Sequence, residues 1–254
     1  MPRILILGGT TESRRLAERL VERGDCELIL SLAGRTAAPI AQPVPVHSGG
    51  FGGAEGLAAY VSEYKIDLMI DATHPFAARI SENASKASHL TDTPLLALRR
   101  PAWERHEGDC WTSVATMPEA VMALGEAPKW VFLTIGRQEA FHFERAPQHR
   151  YLVRSVDAIT PPLVLPEVNY ILSAGPFTET DEINLLIENH IDVIVAKNSG
   201  GDATYAKISA ARSLGLPVIM VERQPTPDVQ AVGTVAEALA LVDHILSPLM
   251  KRGV

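Results

Sequence analysis

The chain has 254 residues, 46% hydrophobic and 21% charged, the composition of an ordinary soluble globular protein with room for one large or two small cores. Its net charge of −7 argues against a general nucleic-acid binder, which would carry a basic face. No apolar run approaches the roughly 20 residues needed to span a bilayer, so neither nucleic acid nor membrane is expected as a partner. Cys26 and Cys110 have no metal or redox spacing and read as reduced thiols. Met1-Pro2-Arg3 leads straight into an apolar strand, leaving no room for a signal peptide, and a cytoplasmic protein is expected.

Residues 4–16 set the frame. A short apolar run, one buried strand long, breaks at Gly8-Gly9, and Leu16, Ala17, Leu20 and Val21 then share one face of a helix. Thr10 or Thr11 can cap its first turn, and Gly24 stands where a helix end wants a left-handed residue. Strand, glycine turn and helix open many nucleotide-binding α/β domains, because backbone amides and the helix N-terminus together favour a phosphate. The full G-x-G-x-x-G fingerprint is absent, so a purely structural turn competes with a nucleotide site.

A second strand is expected over 26–32, ending in Ser31 with Arg35 and Thr36 beyond it and no carboxylate. Such a loop suits a 2′-phosphate, and hence NADP, better than the 2′-hydroxyl of NAD. A solvated loop arginine is the alternative. A short strand over 44–47 precedes Gly49-Gly50-Phe51-Gly52-Gly53, glycines that permit close backbone approach or a hinge. A helix over 55–65 leads to a buried strand over 66–70, then Asp71-Ala72-Thr73-His74-Pro75-Phe76-Ala77 at its carboxyl end. Pro75 suits the first turn of a helix over 77–88. His74 reads as a proton donor or as a hydrogen-bonded structural histidine. A strand over 94–98 follows, and the crowding of proline, charge and tryptophan across 99–111 marks a domain boundary.

The alternation then restarts: helix 117–124, strands 130–134, 151–156 and 170–172, a helix capped at Thr178, strand 191–196, a helix to 214, strand 217–221, and a helix 235–246 capped at Thr234. The expected fold is α/β: two consecutive Rossmann-like domains, 1–102 and 103–254, each a parallel sheet, with a ligand cleft between them. No sequence repeat relates the halves.

Chemistry is bounded by what is missing. There is no G-x-x-x-x-G-K-[ST] loop, no H-E-x-x-H, no paired C-x-x-C, no G-x-S-x-G, and no tyrosine followed four residues later by lysine. No metal site is expected. What the second half does offer is a set of cations near strand ends: Arg137 after Gly136, Lys197 before Asn198-Ser199-Gly200-Gly201, Lys207 in the next helix, and Arg223. A lysine ending a buried strand beside a Gly-Gly turn joins a fixed cation to free amides, an arrangement suited to a polyanionic small molecule.

Seven segments carry a resemblance: residues 6–14 (Ile-Leu-Gly-Gly-Thr-Thr-Glu-Ser-Arg), 49–53 (Gly-Gly-Phe-Gly-Gly), 71–77 (Asp-Ala-Thr-His-Pro-Phe-Ala), 100–103 (Arg-Pro-Ala-Trp), 134–138 (Thr-Ile-Gly-Arg-Gln), 197–201 (Lys-Asn-Ser-Gly-Gly) and 217–223 (Pro-Val-Ile-Met-Val-Glu-Arg). In this order and spacing the chain resembles the precorrin-6A reductase family over nearly its whole length. It departs mildly at Ala174 in residues 173–177, where a more polar or basic residue is expected. The resemblance implies hydride transfer from NADPH to a double bond of the precorrin-6A macrocycle, giving precorrin-6B in cobalamin biosynthesis, with a proton added at the neighbouring carbon. It assigns cofactor contacts to Gly8, Gly9, Thr10, Thr11, Glu12 and Ser13 at the phosphates, to Ser31, Arg35 and Thr36 at the 2′-phosphate, and to Gly50, Phe51, Gly52, Thr73, His74 and Pro75 at the nicotinamide. Substrate carboxylates would meet Arg137, Ser173, Lys197, Asn198, Ser199, Gly200, Gly201, Lys207 and Arg223. Lys197, His74 or water would deliver the proton. A different NADP oxidoreductase and a non-catalytic NADP-sensing module remain as alternatives.

Overall fold

The computed structural model describes residues 1–34 and 42–250, with side chains through residue 247. Its elements, in chain order, are β1 (Arg3–Leu7), α1 (Thr11–Arg23), β2 (Glu27–Leu32), β3 (Val46–Ser48), α2 (Ala54–Glu63), β4 (Leu68–Asp71), α3 (Ala78–Thr91), β5 (Leu95–Leu98), β6 (Cys110–Val114), α4 (Met117–Ala123), β7 (Trp130–Thr134), a 3₁₀ turn (Ala140–Arg145), β8 (Arg150–Ser155), β9 (Val168–Leu172), α5 (Glu179–Glu188), β10 (Val193–Lys197), α6 (Ala206–Leu214), β11 (Pro217–Val221), β12 (Ala231–Val232) and α7 (Val235–Met250). Among the described residues no helix is long and apolar enough to cross a membrane.

The strands form two six-stranded sheets, ordered β3-β2-β1-β4-β5-β12 and β9-β8-β7-β10-β11-β6. Every pairing in both is parallel. Parallel sheets need both faces covered, and β1 shows how one strand meets that demand. Ile4 and Ile6 pack on one face with Leu16, Leu20, Val242 and Leu246 of α1 and α7. Leu5 and Leu7 pack on the other with Leu57, Val61 and Ala84 of α2 and α3. All four β1 side chains are buried, each contributing about 1.5–3 kcal/mol of transfer free energy. In the second sheet Phe132, Ile194 and Met220 pack with Leu186, Ile208 and Ala211 in the same manner.

The chain divides into two units, residues 1–101 with 225–254, and residues 102–224. The second boundary corrects the expected 103–254 domain. The last thirty residues return to the first unit, where β12 pairs with β5 and α7 joins the α1 core. Each sheet thus shows the same spatial order with a different strand in sixth place. Sheet one takes its sixth strand from after the second unit, and sheet two takes β6 from just before its own first central strand. Three elements went unforeseen: β6, the 3₁₀ turn and β12. The helix expected over 77–88 starts one residue later, at Ala78, and Pro75 precedes it in a turn closed by the Ala77 amide donating to the His74 carbonyl at 2.7 Å.

Candidate functional site

In a doubly wound sheet, ligands bind beyond the carboxyl ends of the strands where the strand order reverses. The order fixes those points between β1 and β4 in the first unit and between β7 and β10 in the second. The segments singled out from sequence fall there: Gly8–Ser13 and Thr73–Pro75 at the first point, Arg137 and Lys197–Gly201 at the second.

The β1–α1 turn is drawn tight. Gly9 has φ +114°, a conformation that favours glycine, and a Cβ on Gly8 would stand 2.6 Å from Leu30 Cδ1 and 3.1 Å from Ser13 Oγ, so a side chain there would have to displace the Leu30 tip. Thr10 and Ser13 form a reciprocal cap. The Ser13 amide donates to Thr10 Oγ1 at 3.1 Å and the Thr10 amide to Ser13 Oγ at 3.1 Å. Ser13 Oγ also accepts from the Gly9 amide at 3.2 Å and donates to the Thr10 carbonyl at 2.7 Å. Thr10 Oγ1 donates to the Ala72 carbonyl at 2.9 Å, pinning the turn to the end of β4. The Gly8 amide donates to the Ser31 carbonyl at 2.9 Å. The amides of Gly8, Gly9, Thr10 and Ser13 are therefore spent inside the protein, and the hydroxyls of Thr10 and Ser13 organise the turn. The amides of Thr11 and Glu12 lie at the positive pole of α1, the anion-favouring end of a helix. Glu12 accepts from Arg100 Nη1 at 2.9 Å, which offsets its carboxylate charge there. Thr10, Glu12, Thr73, Pro75, Leu98 and Arg100 line a small cavity at this edge.

Asp71, which the sequence reading did not assign, organises the β4 end. Its buried carboxylate accepts from the Thr73 amide at 3.2 Å, Thr73 Oγ1 at 2.6 Å and Ser81 Oγ at 2.6 Å. His74 beyond it is exposed, with Nδ1 accepting from the Phe76 amide at 3.3 Å. A neutral His74 ring consequently carries its proton on Nε2.

Gly50, Phe51 and Gly52 follow β3, three places from β4 in the strand order, or about 14 Å at the usual inter-strand spacing. They and residues 73–75 follow different strands of the same sheet. Phe51 stacks on His47 at 4.5 Å and meets Tyr60 edge-on at 4.9 Å. Ser31 is buried at the end of β2. Arg35 and Thr36 lie outside the described residues.

In the second unit, Lys197 Nζ lies 3.3 Å from Glu139 Oε2 and Arg137 Nη1 lies 3.9 Å from Asp157 Oδ2. Both cations stand at the sheet edge with a carboxylate beside them. Asn198 is buried, and its side chain is engaged by protein: Oδ1 accepts from the Trp103 amide at 2.8 Å, and Nδ2 donates to the Trp103 carbonyl at 3.1 Å and to Glu222 Oε2 at 3.0 Å. Gly200 and Gly201 have φ +65° and +75°, successive left-handed residues that only glycine adopts without strain. The Gly201 carbonyl accepts from Trp103 Nε1 at 2.9 Å. Ser199 is buried, its amide donating to the Lys197 carbonyl at 2.7 Å. Arg223 Nε donates to the Asn198 carbonyl at 2.8 Å. Lys207 is buried against Trp103, Nζ lying 4.8 Å from the ring centroid and donating to the Thr204 carbonyl at 2.5 Å. The Ser173 amide extends β9, donating to the Ser155 carbonyl at 3.0 Å. Nearby, Arg154 and Glu182 form a buried bidentate pair at 2.5 and 3.0 Å, with the guanidinium 3.9 Å from the Phe177 centroid. Sequence periodicity carried no signal for this pair, because its partners sit on separate elements 28 residues apart.

Two parallel sheets of Rossmann order, one edge with a tight glycine turn at a helix pole and the other with cations, define a doubly wound α/β protein with ligand-ready carboxyl edges. The chain belongs to the precorrin-6x reductase CbiJ/CobK family, whose model matches residues 3–243. It is 60% identical over 247 residues to a precorrin-6A reductase of Sinorhizobium sp, covering 97% of this chain and 95% of that one. Identity to the Rhodobacter capsulatus precorrin-6A reductase is 46% over 255 residues, covering 100% of both. A cobalt-precorrin-6A reductase of Priestia megaterium is 29% identical over 253 residues, covering 96% of this chain and 97% of that one. The solved structure of a CobK precorrin-6A reductase superimposes with a TM-score of 0.92 at 45% identity, covering 96% of this chain and 97% of that chain. Membership assigns the chain to reduction in the precorrin stage of cobalamin biosynthesis.

Proposed function

We propose that the chain catalyses the NADPH-dependent reduction of precorrin-6A to precorrin-6B in the cytoplasm, with the cofactor on the edge of the first sheet and the tetrapyrrole on the edge of the second. The observation that carries this reading is the chemical contrast between the edges. The first offers a helix pole with amides at Thr11 and Glu12, and the second offers Arg137, Lys197 and Arg223 to a substrate rich in acetate and propionate groups. Metal-free precorrin-6A is favoured over its cobalt complex by the higher identity to the precorrin-6A reductases, 60% and 46% against 29%.

The residues present fit NADPH at the first edge: the turn takes Gly9 at φ +114° with little room at Gly8, and the α1 N-terminus carries the Arg100–Glu12 pair. When bound, NADPH supplies the hydride, so the chain needs no nucleophile. Thr73–Pro75 would meet the nicotinamide end and Gly50–Gly52 the opposite end of the extended dinucleotide, with Ser31, Arg35 and Thr36 toward the 2′-phosphate. Around the macrocycle, Arg137, Lys197 and Arg223 hold carboxylates. Ser173, Ser199, Gly200 and Gly201 shape the backbone edge, and Asn198 and Lys207 support it from behind. One carbon of the reduced double bond takes the hydride and its neighbour takes a proton, from Lys197 as an ammonium, from His74 as an imidazolium that would give up the Phe76 amide bond to Nδ1, or from water.

Anaerobic mixing with NADPH or NADH and precorrin-6A tests the reading. Loss of the NADPH absorbance band with a changed macrocycle spectrum is expected, and Arg35→Ala should weaken NADPH selectively. Binding of NADPH without turnover would remove precorrin-6A as substrate, and preference for NADH would remove the 2′-phosphate role of residues 31–36.

A further inference from the structure

Asn198 reads from sequence as a substrate ligand, but its surroundings assign it other work. The second unit has two covalent connections to the first, at residues 101–102 and 224–225, and the residues next to both connections converge on Asn198. Beside the first connection, Trp103 engages the Asn198 side chain through its amide at 2.8 Å and its carbonyl at 3.1 Å. Beside the second, Glu222 accepts from Asn198 Nδ2 at 3.0 Å and Arg223 donates to the Asn198 carbonyl at 2.8 Å. Glu222 is itself fixed by Ser113 Oγ of β6 at 2.8 Å. Both Nδ2 protons have acceptors, so this side chain has no donor left for a ligand.

The same cluster fixes the loop after β10. Trp103 Nε1 holds the Gly201 carbonyl at 2.9 Å, and its ring lies 4.8 Å from the buried Lys207 ammonium. Asn198 at the start of the loop and Gly201 at its end are thus tied to one tryptophan, outside the loop itself. Gly200 and Gly201, both at positive φ, give the loop its path but no rigidity of their own. The Trp103 ties supply that rigidity.

We propose that Asn198 and Trp103 are positioning residues for the proposed reductase, a clamp that fixes Lys197, Ser199 and the 200–201 backbone at the sheet edge and joins that edge to both chain connections. The inference rests on the function proposed above for its kinetic consequence, but its structural consequence stands alone.

The test compares wild type with Asn198→Asp, Trp103→Phe and the double variant Asn198→Asp/Glu222→Gln. Asn198→Asp is nearly isosteric, yet it sets a carboxylate oxygen against Glu222 and the Trp103 carbonyl. Trp103→Phe removes the indole donor to Gly201 and shrinks the ring packed on Lys207 and Tyr205, while the backbone ties of residue 103 to Asn198 remain. The double variant rebuilds the link to residue 222 with donor and acceptor exchanged. Hydrogen exchange, which needs no substrate, should show faster exchange at amides 199–203 in both single variants, and wild-type rates returning in part in the double variant. In anaerobic kinetics with NADPH and precorrin-6A, Asn198→Asp should raise KM for the macrocycle about ten-fold, in line with one uncompensated buried polar contact. Its NADPH affinity should stay within about two-fold of wild type, and the double variant should recover part of the KM. Unchanged exchange at 199–203 in both single variants would overturn the clamp, as would an equal loss of NADPH affinity and macrocycle KM. Absence of wild-type turnover would instead overturn the assigned reaction, while the exchange measurement would still decide the clamp.

Discussion

Replacing Arg154 by methionine tests how the second unit is held together. Its side chain is 6% exposed and that of Glu182 is 2% exposed, with bonds of 2.5 and 3.0 Å between guanidinium and carboxylate. Methionine keeps much of the aliphatic stem packed near Phe132 and Phe177 but strands the Glu182 carboxylate in the core. Removing one partner of such a pair costs about 3–5 kcal/mol, whereas replacing both by apolar residues is often neutral or stabilising. For a unit of this size, residues 102–224, about 1 kcal/mol corresponds to roughly 3–5 °C in Tm, so Arg154→Met should lower its transition by about 9–25 °C. Arg154→Met combined with Glu182→Leu should recover most of that loss. Urea unfolding followed by tryptophan fluorescence reports on this unit, because Trp103, Trp111 and Trp130 all lie in it. A single variant within about 1 kcal/mol of wild type, or a double variant as damaged as the single one, would refute the buried-charge argument.

Gly56→Ala should be among the most damaging small substitutions in the first unit, since a Cβ there would stand 1.7 Å from the Phe51 carbonyl oxygen. A loss of about 1–3 kcal/mol from overpacking and weaker NADPH binding are expected in thermal melts with and without cofactor. His149 sits buried beneath Gly125 with its pKa lowered, chiefly by burial. The unfolded chain therefore binds the extra proton more readily, and the His149 contribution is complete above about pH 6.5 and lost as pH falls through the depressed folded value. His149→Gln should flatten the acid limb of the stability profile between pH 7 and 5, and an unchanged slope would reject the assignment. Burial raises the Cys26 thiol to about 11 while Cys110 is exposed. At pH 8 an alkylating reagent followed by peptide mapping should label Cys110 well before Cys26; equal rates would be wrong for this environment.

What could be read from sequence was local. Thr10 as a cap, Gly24 at the helix end, β11 at Pro217–Val221 and the threonine cap at 178 follow from short-range chemistry, and the structure has them in place. The division of the last thirty residues was not legible. Periodicity shows that α7 has an apolar face but not which sheet that face covers, and β12 is two residues long. β6 escaped because it is an edge strand without a buried alternation in Cys110–Val114. At the candidate site, residue type located the edge but not the division of labour on it. Nothing in Lys-Asn-Ser-Gly-Gly says that the asparagine faces Trp103, 95 residues earlier, rather than a ligand.

The return of β12 to the first sheet also bears on synthesis. Residues 102–224 contain every strand of the second sheet, so that body is complete once its own stretch has cleared the ribosome. The first sheet must wait for β12 and α7, whose cover over Leu16 and Leu20 is made by residues 238–246. At about 5–20 residues per second, the 133 residues from Leu98 to Ala231 impose a delay of roughly 7–27 s. The first unit to be translated thus has its sheet completed by the last residues made, and until β12 emerges that side of β5 has no strand to pair with.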